Sequence, residues 1–295
     1  MVSRTFSCDC NAMHFDTPEL SRELVAAVDR MPTFPQSAQR ILKLTRDASC
    51  APKDLVEVID RDPVVTVKVL RVVNSAYYSL PNKISSISHA VVFLGFNTIK
   101  NLSLSIAAVG MLPSNPLAGF DGQGYLLHSL TAAGIARQLA LQIPDADAHD
   151  FFIAGLLHDF GTVVIAQGMP MEFNKALEYS VWHEESLHHA LLQVAGIDHS
   201  AVGAMLLERW QFPADLVDAI RYQHQPECKD SDLVAGVFAA NQICQRLGID
   251  FGGPSKPEGL PASVEQRLRG NLDQIITRMG DLKPLLEEAR RFVKL

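Results

Sequence analysis

Signals for the start of a helix recur in this sequence and constrain the fold more than any other feature. Proline stands where a helix can begin at Thr17-Pro18, Ala51-Pro52 and Asp62-Pro63, and Thr17 is also a capping residue. Proline is favoured at the first position of a helix. Apolar residues then follow at helical spacing, as at Val64 and Val67. We find no run of alternating apolar and polar residues that would predict a strand. The chain is therefore predicted to be all-α.

Two segments rich in proline, glycine and polar residues divide the predicted helices. Pro113–Gly124 is the stronger predicted boundary, and a second linker covers residues 252–257. With 295 residues, of which 47% are hydrophobic, the chain can bury a large core. We predict four units: a tail and first helix over 1–30, a helical first lobe over 31–114, a helical second lobe over 115–254, and a helical C-terminal tail over 255–295.

Charge is divided unequally between the two predicted lobes. The first lobe holds nine Lys and Arg against five Asp and Glu, a net charge of +4, whereas the second holds six against seventeen, a net charge of −11. The total of −7 gives no excess of positive charge for a nucleic-acid backbone, so we expect no nucleic-acid partner. Apolar stretches are too short for a spanning helix and no secretory signal is evident, so we expect a cytoplasmic protein without membrane insertion.

Most of the histidines lie in the acidic second lobe, and one pair stands out. His158-Asp159 follows an apolar helical stretch, and one residue separates Asp159 from the glycine at position 161. Imidazole and carboxylate groups together suit divalent metal ions. A His-Asp pair at a helix end also serves as a cap or a hydrogen-bonding group, and spacing alone favours that interpretation.

Other polar features are explained more simply by local structure. His183, His188 and His189 lie beside Glu184 and Glu185, and a solvated helix face explains them better than a second metal site. Asn74-Ser75 is predicted to end a helix through hydrogen bonds to its own backbone.

Four motifs of the first lobe, in order along the chain, resemble those of the HDOD family, a bacterial signalling relative of the HD superfamily of metal-dependent phosphohydrolases. The resemblance covers roughly residues 20–245. The motifs are Met31-Pro32-Thr33-Phe34-Pro35, Ile59-Asp60-Arg61-Asp62-Pro63, the segment from Leu70 to Tyr78, and the segment from Ile87 to Gly95.

The resemblance implies a set of metal ligands and also shows departures from the catalytic members. The implied ligands to one divalent ion (Fe, Mn, Zn or Mg) are His128, His158, Asp159, His199 and His224. Gln223 stands where catalytic relatives carry the first of two adjacent histidines, Asn241 where they carry an aspartate, and Thr162 where they carry a lysine. These changes weaken a metal shell and remove a cation that would stabilise phosphate charge.

The resemblance therefore implies a regulatory protein that acts through signalling protein partners, in two-component or cyclic di-GMP signalling, with a degenerate metal site. We assign no catalytic residue and no residue to an organic cofactor. Two alternatives stay open: a metal-dependent phosphohydrolase that uses His128, His158 and Asp159 to activate water, and a module that senses a nucleotide without cleaving it. The expected docking surface is the first lobe, with Arg40, Lys43, Lys53 and Lys68 as its charged rim.

Overall fold

A computed structural model describes residues 18–45, 50–74, 83–113, 119–253 and 257–294. The described residues are helical and contain no strand, so the prediction of an all-α fold is confirmed. Three predicted features lie outside the described residues: the cap at Thr17, motif residues 75–78, and linker residues 114–118 and 254–256.

The described residues of the first half of the chain form six helices. They are α1 (Pro18–Arg30), α2 (Gln36–Thr45), α3 (Pro52–Asp60), α4 (Pro63–Val73), α5 (Ile87–Leu94) and α6 (Phe96–Val109).

Eleven further helices follow within the described residues 119–253 and 257–294. They are α7 (Gly122–Ala140), α8 (Ala148–Leu157), α9 (Phe160–Gly168), α10 (Pro170–His183), α11 (Leu187–Ala195), α12 (His199–Arg209), α13 (Ala214–Arg221), α14 (Asp232–Arg246), α15 (Ala262–Leu268), α16 (Leu272–Met279) and α17 (Lys283–Val293), with a short 3-10 turn at Pro226–Cys228 before α14.

Polar side chains define the helix ends in the first lobe as the sequence predicts. The Asp62 carboxylate accepts hydrogen bonds from the backbone N–H groups of Val64 and Val65, which caps α4. Asn74 does more than end α4. Its amide donates to the carbonyl of Ile84 at 2.7 Å, and its carbonyl oxygen accepts from the Ile84 N–H at 2.7 Å. Asn74 therefore joins the end of α4 to the segment that leads into α5.

Helices α2 to α6 pack on one another, and α7 to α14 form a second packed group. Helix α6 also packs on α8, and α1 packs on α9 and α12. The buried apolar side chains of both groups belong to one continuous core.

A polar clamp fixes the first motif of the first lobe to the second lobe. The Arg209 guanidinium donates to the carbonyl oxygens of Met31 at 2.7 Å and Asp29 at 2.8 Å. The Trp210 indole N–H donates to the carbonyl of Pro32 at 3.0 Å. The Phe34 ring packs against that of Trp210 with 5.1 Å between centroids. The motif Met31–Pro35 therefore serves as a docking segment between the two lobes.

Two stretches with helical spacing are interrupted in the structure. The apolar stretch over 149–167 breaks at His158-Asp159 into α8 and α9. The stretch over 262–278 breaks at Arg269, which adopts a φ of 55° between α15 and α16. By length and composition Ala148–Gly168 could span a membrane, but 83% of its most apolar window is buried inside the fold, as in a core helix.

Candidate metal centre

Helices α7 to α9 place three ionisable side chains at one point in the core of the second lobe. His128 lies in the middle of α7, His158 directly follows α8, and Asp159 precedes α9. The His128 and His158 residues are 0% exposed and Asp159 is 8% exposed. We call these three residues the inner cluster.

The side-chain atoms of the inner cluster are close enough to bind one ion. The Nε2 atoms of His128 and His158 are 3.0 Å apart. The Oδ2 atom of Asp159 is 3.3 Å from each of them. Ligand atoms of one divalent ion have similar separations. The structure thus brings together three of the five residues that the resemblance implies as metal ligands.

Backbone contacts fix which ring nitrogens can bind a metal. The Nδ1 atom of His128 lies 2.9 Å from the carbonyl oxygen of Ile249, and the Nδ1 atom of His158 lies 2.8 Å from that of Gly155. A carbonyl oxygen only accepts hydrogen bonds, so both Nδ1 atoms carry hydrogen. The two Nε2 atoms are then left with lone pairs that face each other, and they need a proton or a metal ion between them. This donor set fits a divalent ion.

Asp159 occupies a helix N-cap position but does not cap the helix. Its side chain makes no hydrogen bond to the first backbone N–H groups of α9, although aspartate is among the preferred N-caps. The carboxylate instead contacts His128 and His158 through Oδ2, and His199 through Oδ1 at 3.1 Å. The simpler interpretation of the pair as a capping motif is therefore wrong for Asp159.

Electrostatics in the inner cluster favour positive charge beside Asp159. Burial alone would lower the pKa of His128, but the hydrogen bond and the negative charge of Asp159 outweigh it and raise that pKa to about 9. Burial would raise the pKa of Asp159, but the charge of His158 and hydrogen bonds from His128, His158 and His199 hold it well below its usual range. Without metal, a proton on His128 supplies the positive charge beside Asp159. A metal ion has to displace this proton in order to bind.

Three more histidines lie on the outer side of Asp159. His199 begins α12, His224 follows α13, and His188 lies in the first turn of α11. The Nε2 atoms of His199 and His224 are 3.2 Å apart, and the Nδ1 atoms of His188 and His199 are 3.3 Å apart. The rings of His188 and His224 stack with centroids 3.7 Å apart. We call His188, His199 and His224 the outer cluster.

Burial keeps two members of the outer cluster neutral. Burial and the charge of His199 lower the pKa of His188 to about 4. Burial, with the neighbouring His188 and His199, holds the pKa of His224 well below its usual range. Neutral imidazole is the form that binds metal ions.

A cavity of about 480 Å³ lies beside the outer cluster, and Asp159 is the member of the inner cluster that lines it. No lysine or arginine lines this cavity among the residues that the structure describes. Its wall is acidic, so it attracts cations and repels phosphate groups. The lining carboxylates are Asp159, Glu184, Glu185, Asp250 and Glu258.

The three residues that differ from the catalytic pattern surround this cavity or support it. Thr162 and Asn241 line the cavity. The Gln223 amide instead donates to the carbonyl of His158 at 2.6 Å, so it supports the turn that carries the His-Asp pair.

Sequence reasoning missed two groups at this site. His188 was assigned to a solvated helix face, but it enters the outer cluster, while the adjacent His189 stays outside with its side chain 43% exposed. Asp250 also reaches the site, with Oδ1 4.0 Å from Nδ1 of His128, and burial raises its pKa. The sequence carries no signal that would place either residue at the site, because His188 lies beside two glutamates and Asp250 lies in a loop after α14.

Comparison with known proteins gives two relatives that are similar in sequence. An uncharacterised protein of Treponema pallidum (strain Nichols) is 26% identical over 86% of this chain and 50% of its own length. Ribonuclease Y of Mycoplasmoides gallisepticum is 25% identical over 52% of this chain and 24% of its own length. The chain thus spans half or less of the length of these curated relatives.

Solved structures agree with that result. An HDOD domain protein of unknown function from Geobacter sulfurreducens has a TM-score of 0.77 at 26% identity, over 94% of this chain and 96% of the other. A candidate phosphohydrolase of Shewanella amazonensis SB2B has a TM-score of 0.70 at 23% identity, over 92% and 98% of the two chains, which shows a shared fold. A family model that describes the HDOD domain matches residues 31–226. The chain therefore belongs to the HDOD family.

Proposed function

We propose that this protein is a regulatory HDOD protein that binds a divalent metal ion in its second lobe without hydrolysing phosphodiesters, and that it acts by binding a signalling protein. One observation carries the proposal. The inner cluster keeps the ligand atoms for a metal ion. Among the described residues, however, no lysine or arginine lines the adjacent cavity to hold a phosphate.

The inner cluster supplies the ligands for the ion. His128 and His158 would contribute their Nε2 atoms, since both Nδ1 atoms donate to backbone carbonyls. Asp159 would contribute a carboxylate oxygen whose charge offsets that of the ion. A divalent ion supplies Lewis acidity when it is bound.

The rest of the cavity does not support turnover. A phosphodiester needs positive groups that stabilise the charge developing on phosphate, and such groups contribute several kcal/mol in phosphoryl transfer, roughly 3–4 kcal/mol for one donor. Thr162 and Asn241 are neutral, and Gln223 is engaged with the backbone of His158. The carboxylates of the wall would repel the substrate.

The alternative is a metal-dependent phosphohydrolase. Its support is the resemblance to ribonuclease Y over about half of this chain, together with the complete inner cluster. In that case the ions themselves would have to supply all the positive charge that the cavity wall lacks.

A protein partner would dock on the first lobe. The four predicted rim residues are all exposed: Arg40, Lys43, Lys53 and Lys68. Large apolar side chains are also exposed on α4, the helix that carries Lys68, at Val64 (63%) and Val67 (66%). Exposed valines with basic residues around them suit a partner surface that has an apolar centre and acidic rim. A link of this docking to cyclic di-GMP signalling follows from the family resemblance alone.

The test combines metal analysis with activity and partner capture. Purified protein should retain a divalent ion that His158→Ala removes, and it should not cleave cyclic di-GMP or bis(p-nitrophenyl) phosphate with added Mn²⁺, Fe²⁺ or Mg²⁺. Turnover that disappears in His158→Ala would establish the phosphohydrolase instead.

Partner capture tests the docking surface separately. Charge reversal at Lys53 and Lys68 together should weaken capture of partners from source cells without changing metal content. Lys175→Glu, on the exposed side of α10 in the second lobe, is the matched control. Capture that survives the double reversal but is lost with Lys175→Glu would place the docking surface on the second lobe.

A further inference from the structure

Helix α10 exposes a tryptophan and a methionine on the same side. Trp182 is 84% exposed and Met171 is 69% exposed, although tryptophan is highly buried on average. Lys175 and Glu178 lie between them and are also exposed. The four positions follow one another at intervals of four, three and four residues, which is the spacing of a single helix face. We call Met171, Lys175, Glu178 and Trp182 the α10 stripe.

The opposite side of α10 packs within the chain. Phe173, Ala176 and Ser180 are buried on that side, and the helix contacts α9 and α11. Within the described residues, neither Lys175 nor Glu178 forms an ion pair. The α10 stripe therefore faces solvent, and both its apolar and its charged side chains are available to a partner.

The α10 stripe is complementary to itself when two copies run antiparallel. The midpoint of the stripe is equally distant from Lys175 and Glu178, and it is also equally distant from Met171 and Trp182. A two-fold axis through that midpoint places Lys175 of each copy opposite Glu178 of the other. The same axis places Met171 of each copy opposite Trp182 of the other. This arrangement is an isologous contact, in which the same surface serves both copies.

The charges decide the direction of the pairing. In a parallel pair, Lys175 would face a second Lys175 and Glu178 would face a second Glu178, and like charges disfavour such contacts. The antiparallel pair instead forms two attractive contacts at its centre, and it places a thioether against an indole ring at each end. The net charge of −11 on the second lobe opposes the approach of two copies, but the stripe itself has no net charge.

We propose that two copies of this chain form a homodimer through antiparallel packing of their α10 helices, with Trp182 as the residue that contributes most to binding. Tryptophan is enriched among the residues that dominate binding energy at interfaces. Val181, which is 61% exposed, adds apolar area at each end of the contact. A two-fold contact closes on itself, so the association stops at the dimer. The inference does not depend on the proposed function.

Charge exchange tests the pairing without removing an apolar side chain. Lys175→Glu and Glu178→Lys should each be monomeric, because the four central charges of such a dimer would all have the same sign. An equimolar mixture of the two variants should restore a dimer, since each chain then supplies one sign. Sedimentation velocity measures the mass, which is 32.4 kDa for one chain. Lys53→Glu, which reverses an exposed lysine of the first lobe, is the matched control and should dimerise like wild type.

Removal of the indole tests the apolar part of the contact. Trp182→Ala should raise the Kd of the dimer roughly 100-fold or more, because a symmetric interface loses the side chain twice. Fluorescence gives a second readout. The chain has two tryptophans, and Trp210 is only 3% exposed, so Trp182 dominates any change in solvent contact. Its emission in wild type should shift to longer wavelength as dilution dissociates the dimer.

The possible results separate the dimer from the proposed function. A monomeric wild type at every protein concentration would overturn the dimer, and so would a dimer that survives both charge reversals and Trp182→Ala. Two charge variants with the circular dichroism spectrum of wild type that stay monomeric when mixed would refute the antiparallel pairing. Partner capture is an independent readout, because docking on the first lobe uses other helices. Lys175→Glu should abolish the dimer and leave capture unchanged, whereas reversal at Lys53 and Lys68 should do the opposite.

Discussion

Gly161 lies where two helices of the metal centre cross, and its replacement tests that crossing directly. It is the second residue of α9, two residues after Asp159, and it packs against the start of α12. A Cβ atom at position 161 would lie 1.9 Å from the carbonyl oxygen of His199 and 2.6 Å from the backbone nitrogen of Gly203. Both are backbone atoms, so no side-chain rotation relieves the contact.

The size of the effect follows from these distances. Side-chain Cβ atoms essentially never approach another atom within 3.0 Å, so Gly161→Ala forces α9 and α12 apart by about 1 Å. Overpacking of a core costs about 1–3 kcal/mol, and a clash with backbone belongs at the upper end. For a domain of this size about 3 kcal/mol lowers Tm by roughly 6 °C or more.

The displacement also reaches the ligands. His199 is the first residue of α12, and its Nε2 atom contacts both Asp159 and His224. A shift of about 1 Å at its carbonyl exceeds the tolerance of a metal site, where ligand distances hold within about 0.2 Å. We therefore expect weaker Zn²⁺ binding in Gly161→Ala than in wild type.

The assay is thermal unfolding of metal-free and Zn²⁺-loaded protein, followed by circular dichroism. Gly122→Ala is the control, because it makes the same substitution in a helix where the nearest atom, in Phe120, would be 3.9 Å from the new Cβ. That variant should keep its Tm or gain slightly. A Tm for Gly161→Ala within 1 °C of wild type would refute the close crossing of α9 and α12.

Three further predictions concern pH and hydrogen bonds. The pKa of His188 is about 4 in the folded protein, against an ordinary value of 6.5. As pH falls, the histidine of the unfolded chain is therefore protonated before that of the folded chain, and metal-free protein loses stability between pH 6.5 and pH 4. His188→Phe should remove up to about 3 kcal/mol of that loss in urea titrations, and an equal loss in both proteins would contradict it. Arg209→Ala should cost about 1.5–3 kcal/mol, because the part-buried carbonyl of Met31 and the exposed carbonyl of Asp29 lose a charged donor. Arg246→Ala, which breaks an exposed ion pair, should cost under about 1 kcal/mol; equal costs would refute the clamp. Asn74→Ala leaves the N–H and C=O of Ile84 unpaired and should cost about 2–4 kcal/mol; amide exchange at Ile84 as slow as in wild type would count against it.

The helices could be predicted from sequence because their signals are local. Asp62 caps α4 and Ser86 caps α5 through side-chain contacts with backbone N–H groups two or three residues later. The break between α8 and α9 could not be predicted in this way. Both helices are buried on nearly every side, so the apolar pattern continues through His158-Asp159 without a turn residue.

The site required information beyond spacing. The resemblance implies His128, His158, Asp159, His199 and His224 as ligands. The structure places them in the two neighbouring clusters, and Asp159, His199 and His224 line the cavity. The direction of His188 depends on the left-handed turn at Glu184 and on the 96° bend between α11 and α12. A histidine beside two glutamates predicts a solvated face unless that bend is known.

The inner histidines have a structural role that does not depend on catalysis. His128 pairs the carbonyl of Ile249, 121 residues away, and His158 pairs that of Gly155. Replacing either residue would leave a carbonyl of the core without its donor, at a cost of about 1–3 kcal/mol. The two positions at which catalytic relatives carry a lysine and an aspartate, 162 and 241, lie in the cavity wall. They do not have the structural role that His128 and His158 have. A site of this construction can lose turnover and keep its metal ligands, so the presence of His128 and His158 alone is not evidence of hydrolysis.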